Sequence, residues 1–333
     1  MIETSGCQTV RVAWQDTPFS RLVGVRFPIV GAPMAGGPST PRLAAAVSAA
    51  GGLGSVAGAM LGPDQLRDAI RETRSLTDRP FAVNLFAPLP APSGERVADW
   101  AALTGVPVPG PTPRPRFTDQ LAVVVDERVP VFSFTFGVPD LVGLDAVTIG
   151  TATTVAEAVE LQRAGVRAIV AQGFDAGGHR GTFLAPVAES LVGTFSLVPQ
   201  IVDAVSVPVL GSGGIMDGRG IAAALTLGAA GVQLGTALLR CPEAGTAPAH
   251  RQALDRPTTI TDVLTGRPAR AVRTPLVDRL EASGLRPPDY PLPRYLSPEP
   301  PMLAGQAARL ARSLPAADLI HALVDEVEAA RRA

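Results

Sequence analysis

Residues 207–236 (VPVLGSGGIMDGRGIAAALTLGAAGVQLGT) contain the unit on which the fold prediction depends. The unit begins with a short apolar run at residues 207–210 and ends with another at residues 231–235. Between them, Asp217 is a candidate N-cap for an alanine-rich helix that stops at Gly228. Two strands separated by a helix predict a parallel pair, because parallel strands need a crossover connection.

The same alternation of apolar runs and helical stretches extends over most of the chain. The helix-to-strand joins at residues 50–53, 164–167 and 227–230 are alike, which indicates one repeated unit. The apolar runs are continuous rather than alternating, as expected for strands that are buried on both faces. The other predicted strands are residues 28–33, 53–57, 81–86, 132–136, 146–150 and 168–172.

Helix starts are predicted from side chains that can accept a hydrogen bond at an N-cap. Thr40, followed by proline, opens the helix after the first strand. Thr154 and Glu157 have the spacing of a capping box at the start of the helix before the sixth strand. Eight strands, each followed by a helix or by room for one, predict an α/β fold of the (β/α)8 TIM-barrel type.

The alternative fold is an open, doubly wound sheet. It is disfavoured, because no predicted strand is followed by a GxGxxG turn with an acidic residue about 20 positions later.

Two stretches interrupt the repeated pattern. A proline-rich insertion follows the third strand, and an irregular segment follows the eighth. Loops of such length in a compact enzyme are lids or linkers. The predicted organisation is a barrel at residues 1–245 with its insertion at 88–117, a lid segment at 246–301, and a region of C-terminal helices at 302–333, with helices at about 302–313 and 316–331, that packs back on the barrel.

Composition excludes several classes of function. All 29 basic residues are arginines, so the chain has no lysine for a Schiff base, for pyridoxal phosphate or for a P-loop. A net charge of -1 gives no general attraction to nucleic acid or to an anionic membrane. With 46% hydrophobic and 18% charged residues, the chain has the composition of a folded domain with a large core.

Other features of the sequence predict a cytoplasmic location and no metal site. Two cysteines, Cys7 and Cys241, cannot form a disulfide framework. The first 25 residues lack the apolar run of a signal peptide, and no stretch resembles a membrane span. The His, Cys, Asp and Glu residues do not cluster with the spacing of metal ligands.

The predicted ends of the last two strands are rich in glycine. Residues 211–214 (GSGG) end the seventh strand, and Leu234, Gly235 and Thr236 end the eighth. In barrel enzymes the loops after these strands commonly bind phosphate, and glycine allows backbone N–H groups to approach the phosphate oxygens. We therefore predict a phosphate site that needs no lysine, and the alternative is that these glycines only form turns.

The loop QGFDAGGHRG, at the end of the sixth strand, contains the histidine that we expect to be functional, His179. The other two histidines, His250 and His321, lie on helical segments and are expected to be structural. Arg180 is expected either to neutralise an anion or to cap the loop, and Asp175 to orient it. A barrel mouth with a phosphate site, amides and one histidine predicts an organic cofactor that carries a phosphate.

Four segments resemble, in order, the motifs of bacterial nitronate monooxygenases, formerly called 2-nitropropane dioxygenases. They are residues 33–54, 84–88 (NLFAP), 132–139 (FSFTFGVP) and 172–181. The resemblance extends over about residues 20–245 and is specific for this superfamily.

This resemblance implies a (β/α)8 barrel that binds FMN without a covalent bond. It places His179 at the active-site histidine of the family, where it would offer a hydrogen bond or a positive charge to a nitronate, or act as a base toward a neutral nitroalkane. The cofactor-binding residues that it implies are Met34, Asn84, Gln172, Gly177, Gly178, Gly213, Gly214, Gln233, Leu234, Gly235 and Thr236.

The implied reaction is oxidation of an alkyl nitronate, such as propionate 3-nitronate, by O₂ to a carbonyl compound and nitrite, without NAD(P)H. The expected partners are thus a small nitronate or nitroalkane and O₂, with no nucleic acid and no membrane. A homodimer is considered, although the sequence does not determine the oligomeric state.

The sequence departs from the family pattern at several positions. Gly31 replaces the usual glutamine and is expected to alter the floor of the pocket, and Asp175 replaces a glutamate. The segment between residues 139 and 146 is short, so that its helix must be very short. A pocket lysine is absent, and Tyr290 and Tyr295 are either lid residues or surface aromatics. An anionic substrate must therefore be met by arginine, by His179 or by backbone amides.

Three other functions remain open at this point. The first is an NAD(P)H-dependent FMN reductase of enoyl thioesters from the same superfamily. The second is a barrel lyase or isomerase that binds a phosphorylated substrate without flavin. The third is a protein that keeps FMN but has lost turnover.

Overall fold

The computed structural model describes residues 13–110, 114–141 and 143–332. Cys7 and the first half of the segment assessed for a signal peptide lie outside the described residues, so both statements stay predictions.

Eight parallel strands form a closed barrel, which confirms the predicted fold. The barrel strands are β1 (Ile29–Gly31), β2 (Gly54–Ala57), β3 (Phe81–Phe86), β4 (Val131–Thr135), β5 (Val147–Ala152), β6 (Ala168–Gln172), β8 (Val209–Ser212) and β9 (Gly231–Leu234). Neighbouring barrel strands are hydrogen-bonded in the order β1-β9-β8-β6-β5-β4-β3-β2. A parallel bridge between Val30 and Leu53 joins β2 back to β1. The other strands, β7 (Gly178–His179), β10 (Thr258–Thr261) and β11 (Ala269–Val272), form an antiparallel sheet beside it.

Helices surround the barrel and extend into its insertions. They are α1 (Pro18–Val23), α2 (Pro41–Ala49), α3 (Pro63–Leu76), α4 (Val97–Thr104), α5 (Phe117–Asp126), α6 (Val155–Arg163), α7 (Thr194–Ala204), α8 (Gly218–Thr226), α9 (Pro248–Ala253), α10 (Pro275–Ala282), α11 (Leu292–Tyr295) and α12 (Ala316–Ala330). Short 3₁₀ turns cover Val187–Ser190, Thr236–Leu238 and Ala308–Leu310.

The barrel interior is a packed core at the end opposite the loops that follow the strands. Phe19 of α1 is fully buried there and packs in one cluster with Val30, Leu53 and Leu210. Because the described residues fill this end with apolar side chains, a ligand finds space toward the other end of the strands.

The predicted N-caps form, with one difference. Thr40 accepts a hydrogen bond from the Leu43 N–H, and Asp217 caps α8. Thr154 accepts from the Glu157 N–H as predicted, but the second half of the capping box does not form. The Glu157 carboxylate is turned instead toward Thr153 and the loop at residues 182–184.

Two predicted helices do not form among the described residues. Between β4 and β5, the described residues 136–141 and 143–146 contain no helix, so the predicted very short helix is wrong. The helix predicted at about 302–313 is also wrong, since only Ala308–Leu310 form a 3₁₀ turn. Tertiary hydrogen bonds compete with a helix there, because the Gly305 N–H donates to Oγ1 of Thr236.

The second C-terminal helix, α12, forms as predicted and completes the ring of helices. It packs against α8 and α2, where the helix that follows β9 is expected. Its buried face includes Leu319, Ile320 and Leu323.

The insertion and the segment after the barrel share one apolar core. Trp100 of α4 is only 1% exposed and packs with Val277 and Leu280 of α10 and with Leu296. We call residues 88–110 together with 258–303 the cap. The cap contains helices and strands where an irregular lid was expected, and the division of the chain into three regions stays a prediction.

Candidate active site

A cavity of about 550 Å³ lies between the ends of the barrel strands and the cap. Its volume falls in the usual range for sites that bind small molecules and cofactors. Nearly all of the site residues predicted from the sequence line it: Met34, Asn84, Gln172, Gly177, Gly178, His179, Gly213, Gly214, Gln233, Gly235 and Thr236.

Leu234 is the predicted site residue that does not line the cavity. Neighbouring side chains of a strand point to opposite faces, so that Gln233 and Leu234 cannot both face the ligand. Gln233 lines the cavity, whereas Leu234 is 1% exposed and belongs to the hydrophobic core. The Leu234 side chain therefore does not face the cavity, and cofactor binding by Leu234 stays a prediction.

The position of Gly31 does not support the expected effect on the floor of the pocket. A Cβ atom at this position would lie 3.3 Å from Cδ1 of Leu238 and 3.5 Å from Cγ1 of Val47. Val47 belongs to α2, so the missing side chain would point to the helix side of the barrel wall, and Gly31 does not line the cavity.

Glycine backbones at the ends of β8 and β9 form a cradle with free N–H groups. Gly213 and Gly214 adopt left-handed backbones, with φ of +119° and +69°. The N–H groups of Gly213, Gly214, Gly235 and Thr236 have no hydrogen-bond partner among the described residues. A Cβ atom at Gly213 would come within 2.6 Å of Oγ1 of Thr194, so only glycine fits there. Converging free N–H groups of this kind suit a phosphate.

Asp175 fixes the loop after β6 to the start of α7. Its Oδ2 accepts hydrogen bonds from the N–H and the Oγ1 of Thr194, at 2.7 and 2.9 Å. The expectation that Asp175 orients the loop therefore agrees with the geometry.

Arg180 holds the same loop from the inside. It is fully buried, and its guanidinium donates to the carbonyls of Gly173, Gln172 and Ser190 at 2.7–3.1 Å. Burial lowers the pKa of Arg180 to about 10, which leaves it charged at neutral pH. Of the two roles expected for Arg180, the structure favours loop capping over neutralisation of a ligand.

Two of the amide side chains that line the cavity, those of Gln172 and Asn84, differ in the groups that they leave free. Gln172 donates from Nε2 to the carbonyl of His179 and accepts at Oε1 from the Gly181 N–H, so its amide positions the histidine. Asn84 donates from Nδ2 to Oγ of Ser133 at 3.0 Å. Its Oδ1 has no partner among the described residues and remains available to a ligand.

His179 stands in an aromatic environment. Its ring contacts Phe136 and Tyr290 edge to face, with centroid distances of 6.0 and 5.3 Å. Burial and the positive charges of Arg267 and Arg294 lower the pKa of His179 to about 3. The imidazole is therefore neutral at neutral pH, which argues against the expected positive charge.

A hydrogen bond from the cap sets the tautomer of this imidazole. Nε2 of His179 lies 3.0 Å from Oγ1 of Thr265, and Thr265 donates its own proton to the Arg267 carbonyl. Nε2 must then be the donor, and Nδ1 carries the lone pair. Nδ1 has no partner among the described residues and is not among their fully buried polar atoms, so it is accessible from the cavity.

Sequence reasoning missed two residues at this site, Thr265 and Arg294, both of which line the cavity. No local signal identifies Thr265, because it meets His179 across 86 residues of chain. Arg294 stands four residues after Tyr290, a spacing that brings side chains to one face only if the segment is helical. Tyr290 lines the cavity as a lid residue, whereas Tyr295 is 37% exposed at the surface.

His250, expected to be structural, is buried and lines the same cavity, with Nε2 3.1 Å from the Leu303 carbonyl.

Within the described residues, no group of three or more His, Cys, Asp or Glu could hold a metal ion. No helix in this part of the chain is long and apolar enough to cross a membrane.

Comparison with known proteins identifies the family. The family model described as nitronate monooxygenase matches residues 17–296. A probable nitronate monooxygenase of Staphylococcus saprophyticus is 39% identical over 85% of this chain and 85% of that protein. Another, of Staphylococcus aureus, is 36% identical over 94% of this chain and 98% of that protein.

Solved structures agree with this assignment. A nitroalkane oxidase from Streptomyces ansochromogenes has a TM-score of 0.86 and 38% identity, covering 95% of this chain and 99% of that one. FabK from Thermotoga maritima is similar at a TM-score of 0.73 and 30% identity, covering 95% of this chain and 97% of that one. The chain therefore belongs to the nitronate monooxygenase family, which is a family of oxidoreductases.

Proposed function

We propose that this enzyme binds FMN in the cavity and oxidises alkyl nitronates with O₂ to a carbonyl compound and nitrite, without NAD(P)H. The observation that carries the proposal is a neutral histidine with a free Nδ1 beside a glycine cradle of unpartnered N–H groups. We further propose that His179 allows the enzyme to start from a neutral nitroalkane.

The cavity offers groups that suit both the phosphate and the ring system of FMN. The free N–H groups of Gly213, Gly214, Gly235 and Thr236 would hold the phosphate. The side chains of Met34, Asn84, Gln172 and Gln233 line the remaining space and would border the ring system. Bound FMN would supply the redox chemistry that side chains lack, by accepting electrons from the nitronate and passing them to O₂.

His179 would act as the base for a nitroalkane. The lone pair of Nδ1 would remove the proton from the carbon next to the nitro group, and the substrate would become the nitronate. This transfer places an imidazolium beside an anion, and their attraction offsets the cost of charging a buried histidine. Thr265 and Gln172 would hold the ring and its backbone in place during the transfer.

The proposed function is tested on purified protein loaded with FMN. Oxygen uptake and nitrite release are measured with propionate 3-nitronate and with propyl-1-nitronate in the absence of NAD(P)H. Oxidation of NADH or NADPH with an enoyl thioester is measured in parallel, since a FabK structure is among the similar ones. Reduced-nucleotide oxidation without nitronate turnover would overturn the proposal in favour of an enoyl reductase.

The role of His179 is tested with the variant His179→Asn. The variant should lose at least about 100-fold of its activity on neutral nitroalkane, the usual contribution of a positioned base, and keep most of its activity on preformed nitronate. His321→Asn serves as the control, because His321 is exposed on α12. Equal losses on both substrate forms would rule out the base role.

A further inference from the structure

Arg294 is an arginine at the cavity whose guanidinium has no polar partner in the part of the chain that the structure describes. Arg294 lines the cavity, and its backbone N–H donates to the Pro291 carbonyl, but its guanidinium makes no hydrogen bond or ion pair with a described residue. Two neighbouring arginines, in contrast, have hydrogen-bond partners. Arg267 donates to the Thr182 carbonyl and lies 4.0 Å over the Phe136 ring, and Arg114 donates to the carbonyl of Tyr290.

The loop after β1 leaves room for this guanidinium. A Cβ atom at Gly36 would lie 2.6 Å from Nη2 and 2.9 Å from Nη1 of Arg294. Gly36 also lines the cavity. The guanidinium therefore packs against the backbone of Gly36, where no side chain intervenes, rather than extending into solvent. The position is defined by packing although no polar partner holds it.

The charge of Arg294 is not balanced at the site. Among the described residues that line the cavity, Arg294 is the one arginine and Glu299 the one acid. Glu299 is exposed and forms no ion pair with Arg294. His179 is neutral, so it adds no charge of its own. A partly buried, unpaired guanidinium favours binding of an anion, and its flat fork matches a carboxylate.

Arg294 and His179 both line the cavity. The ring neighbours of His179 are Phe136 and Tyr290, not Arg294. The positive charge of Arg294 nevertheless contributes to the lowered pKa of His179, so the two groups share one electrostatic environment. A short ligand could therefore have its reacting end at the imidazole and a second, anionic end at the guanidinium.

We propose that Arg294 binds a carboxylate at the end of the substrate remote from the nitro group, and thereby selects nitro-carboxylates over uncharged nitroalkanes of the same length. The proposal deepens the proposed function and rests on it for the identity of the reacting end. Since the chain has no lysine, Arg294 is the one cationic side chain among the described residues that line this cavity.

The kinetic test compares two nitronates that differ in the carboxylate. Propionate 3-nitronate carries it, and propyl-1-nitronate has a methyl group in its place. Arg294→Met should lower kcat/KM for the first by about 10- to 100-fold, the range for loss of a charge-assisted hydrogen bond, and that for the second by less than about threefold. Arg294→Lys, which keeps the charge but loses the fork, should fall between.

Arg286→Met is the matched control, since Arg286 is an exposed arginine of the cap that does not line the cavity. Arg286→Met should leave kcat/KM unchanged for both nitronates. If Arg294→Met lowers kcat/KM equally for the two nitronates, or for neither of them, the proposal is overturned.

A binding measurement separates this proposal from the proposed function. Succinate has the length and the two charged ends of propionate 3-nitronate and is titrated into the FMN-loaded protein by calorimetry. Binding that weakens at least about tenfold in Arg294→Met but not in Arg286→Met supports the anion site, even if no nitronate is turned over. Absence of succinate binding, or equal binding by all proteins, overturns it even if nitronates are oxidised.

Discussion

Nε2 of His179 lies 3.0 Å from Oγ1 of Thr265, and the Thr265 hydroxyl donates in turn to the Arg267 carbonyl. Because a carbonyl can only accept, the direction of both hydrogen bonds is fixed. The cap therefore determines which nitrogen of a barrel residue carries the proton.

Replacing Thr265 by valine should remove this control while keeping the shape of the side chain. Without its acceptor, the imidazole is free to adopt the other tautomer, so kcat on neutral nitroalkane should fall about tenfold with KM nearly unchanged. Thr265→Ser retains the hydroxyl and should restore most of the rate. Steady-state kinetics of the two variants test this, and a valine variant with the kcat of the parent protein would show that Thr265 does not position His179.

Protonation of His179 should make the folded protein less stable in acid. Its pKa falls from the ordinary 6.5 to about 3 on folding, so between these values the unfolded chain binds a proton that the folded chain does not. Stability attributable to this group is complete above pH 6.5 and declines as the pH falls toward 3, by at most about 1.4 kcal/mol per pH unit. Urea unfolding is measured at pH 7 and pH 5. The free energy of unfolding should fall less between these pH values for His179→Asn than for the parent protein, and identical losses of this free energy would contradict the lowered pKa.

The cradle should lose affinity for FMN when a methyl group is added to it. Gly214 has φ of +69°, and a Cβ atom there would lie 3.3 Å from Cβ of Asp175. Gly165 has a similar φ of +83° but no atom within 4 Å, so Gly165→Ala has the same backbone cost without a contact. Flavin fluorescence titration should give a Kd at least about tenfold higher for Gly214→Ala than for Gly165→Ala. Equal values would show that the cradle does not hold the phosphate.

The barrel and the glycine loops were predictable from the sequence because their signals are local. An apolar run, an N-cap such as Asp217 and a glycine after the helix all lie within one βαβ unit of the chain. Glycines with positive φ, such as Gly213 and Gly214, are recognisable because other residues adopt this conformation at a cost.

The residues that the sequence did not identify depend on contacts between distant segments. Arg294 reaches the cavity because the cap folds over the barrel, and it is seated against Gly36, 258 positions earlier in the chain. The helix predicted at about 302–313 fails for the same reason, since the Gln306 N–H donates to the carbonyl of Asp175 instead of to its own segment. Whether Gln233 or Leu234 faces the ligand is decided by strand orientation, which the apolar run leaves open.

Glu157 is a buried carboxylate that organises the loop carrying His179. Its oxygens accept five hydrogen bonds of 2.6–3.1 Å, from Thr153 and from residues 182–184, and it has no ion pair among the described residues. Glu157→Gln would turn an amide N–H₂ toward groups that are themselves donors, so it should lower the free energy of unfolding by about 3 kcal/mol, as expected when buried donors lose a charged acceptor. Glu160→Gln, on the same helix but half exposed, should cost less than about 0.5 kcal/mol. Urea unfolding measures both, and a Glu157→Gln variant as stable as Glu160→Gln would show that the loop does not depend on this carboxylate.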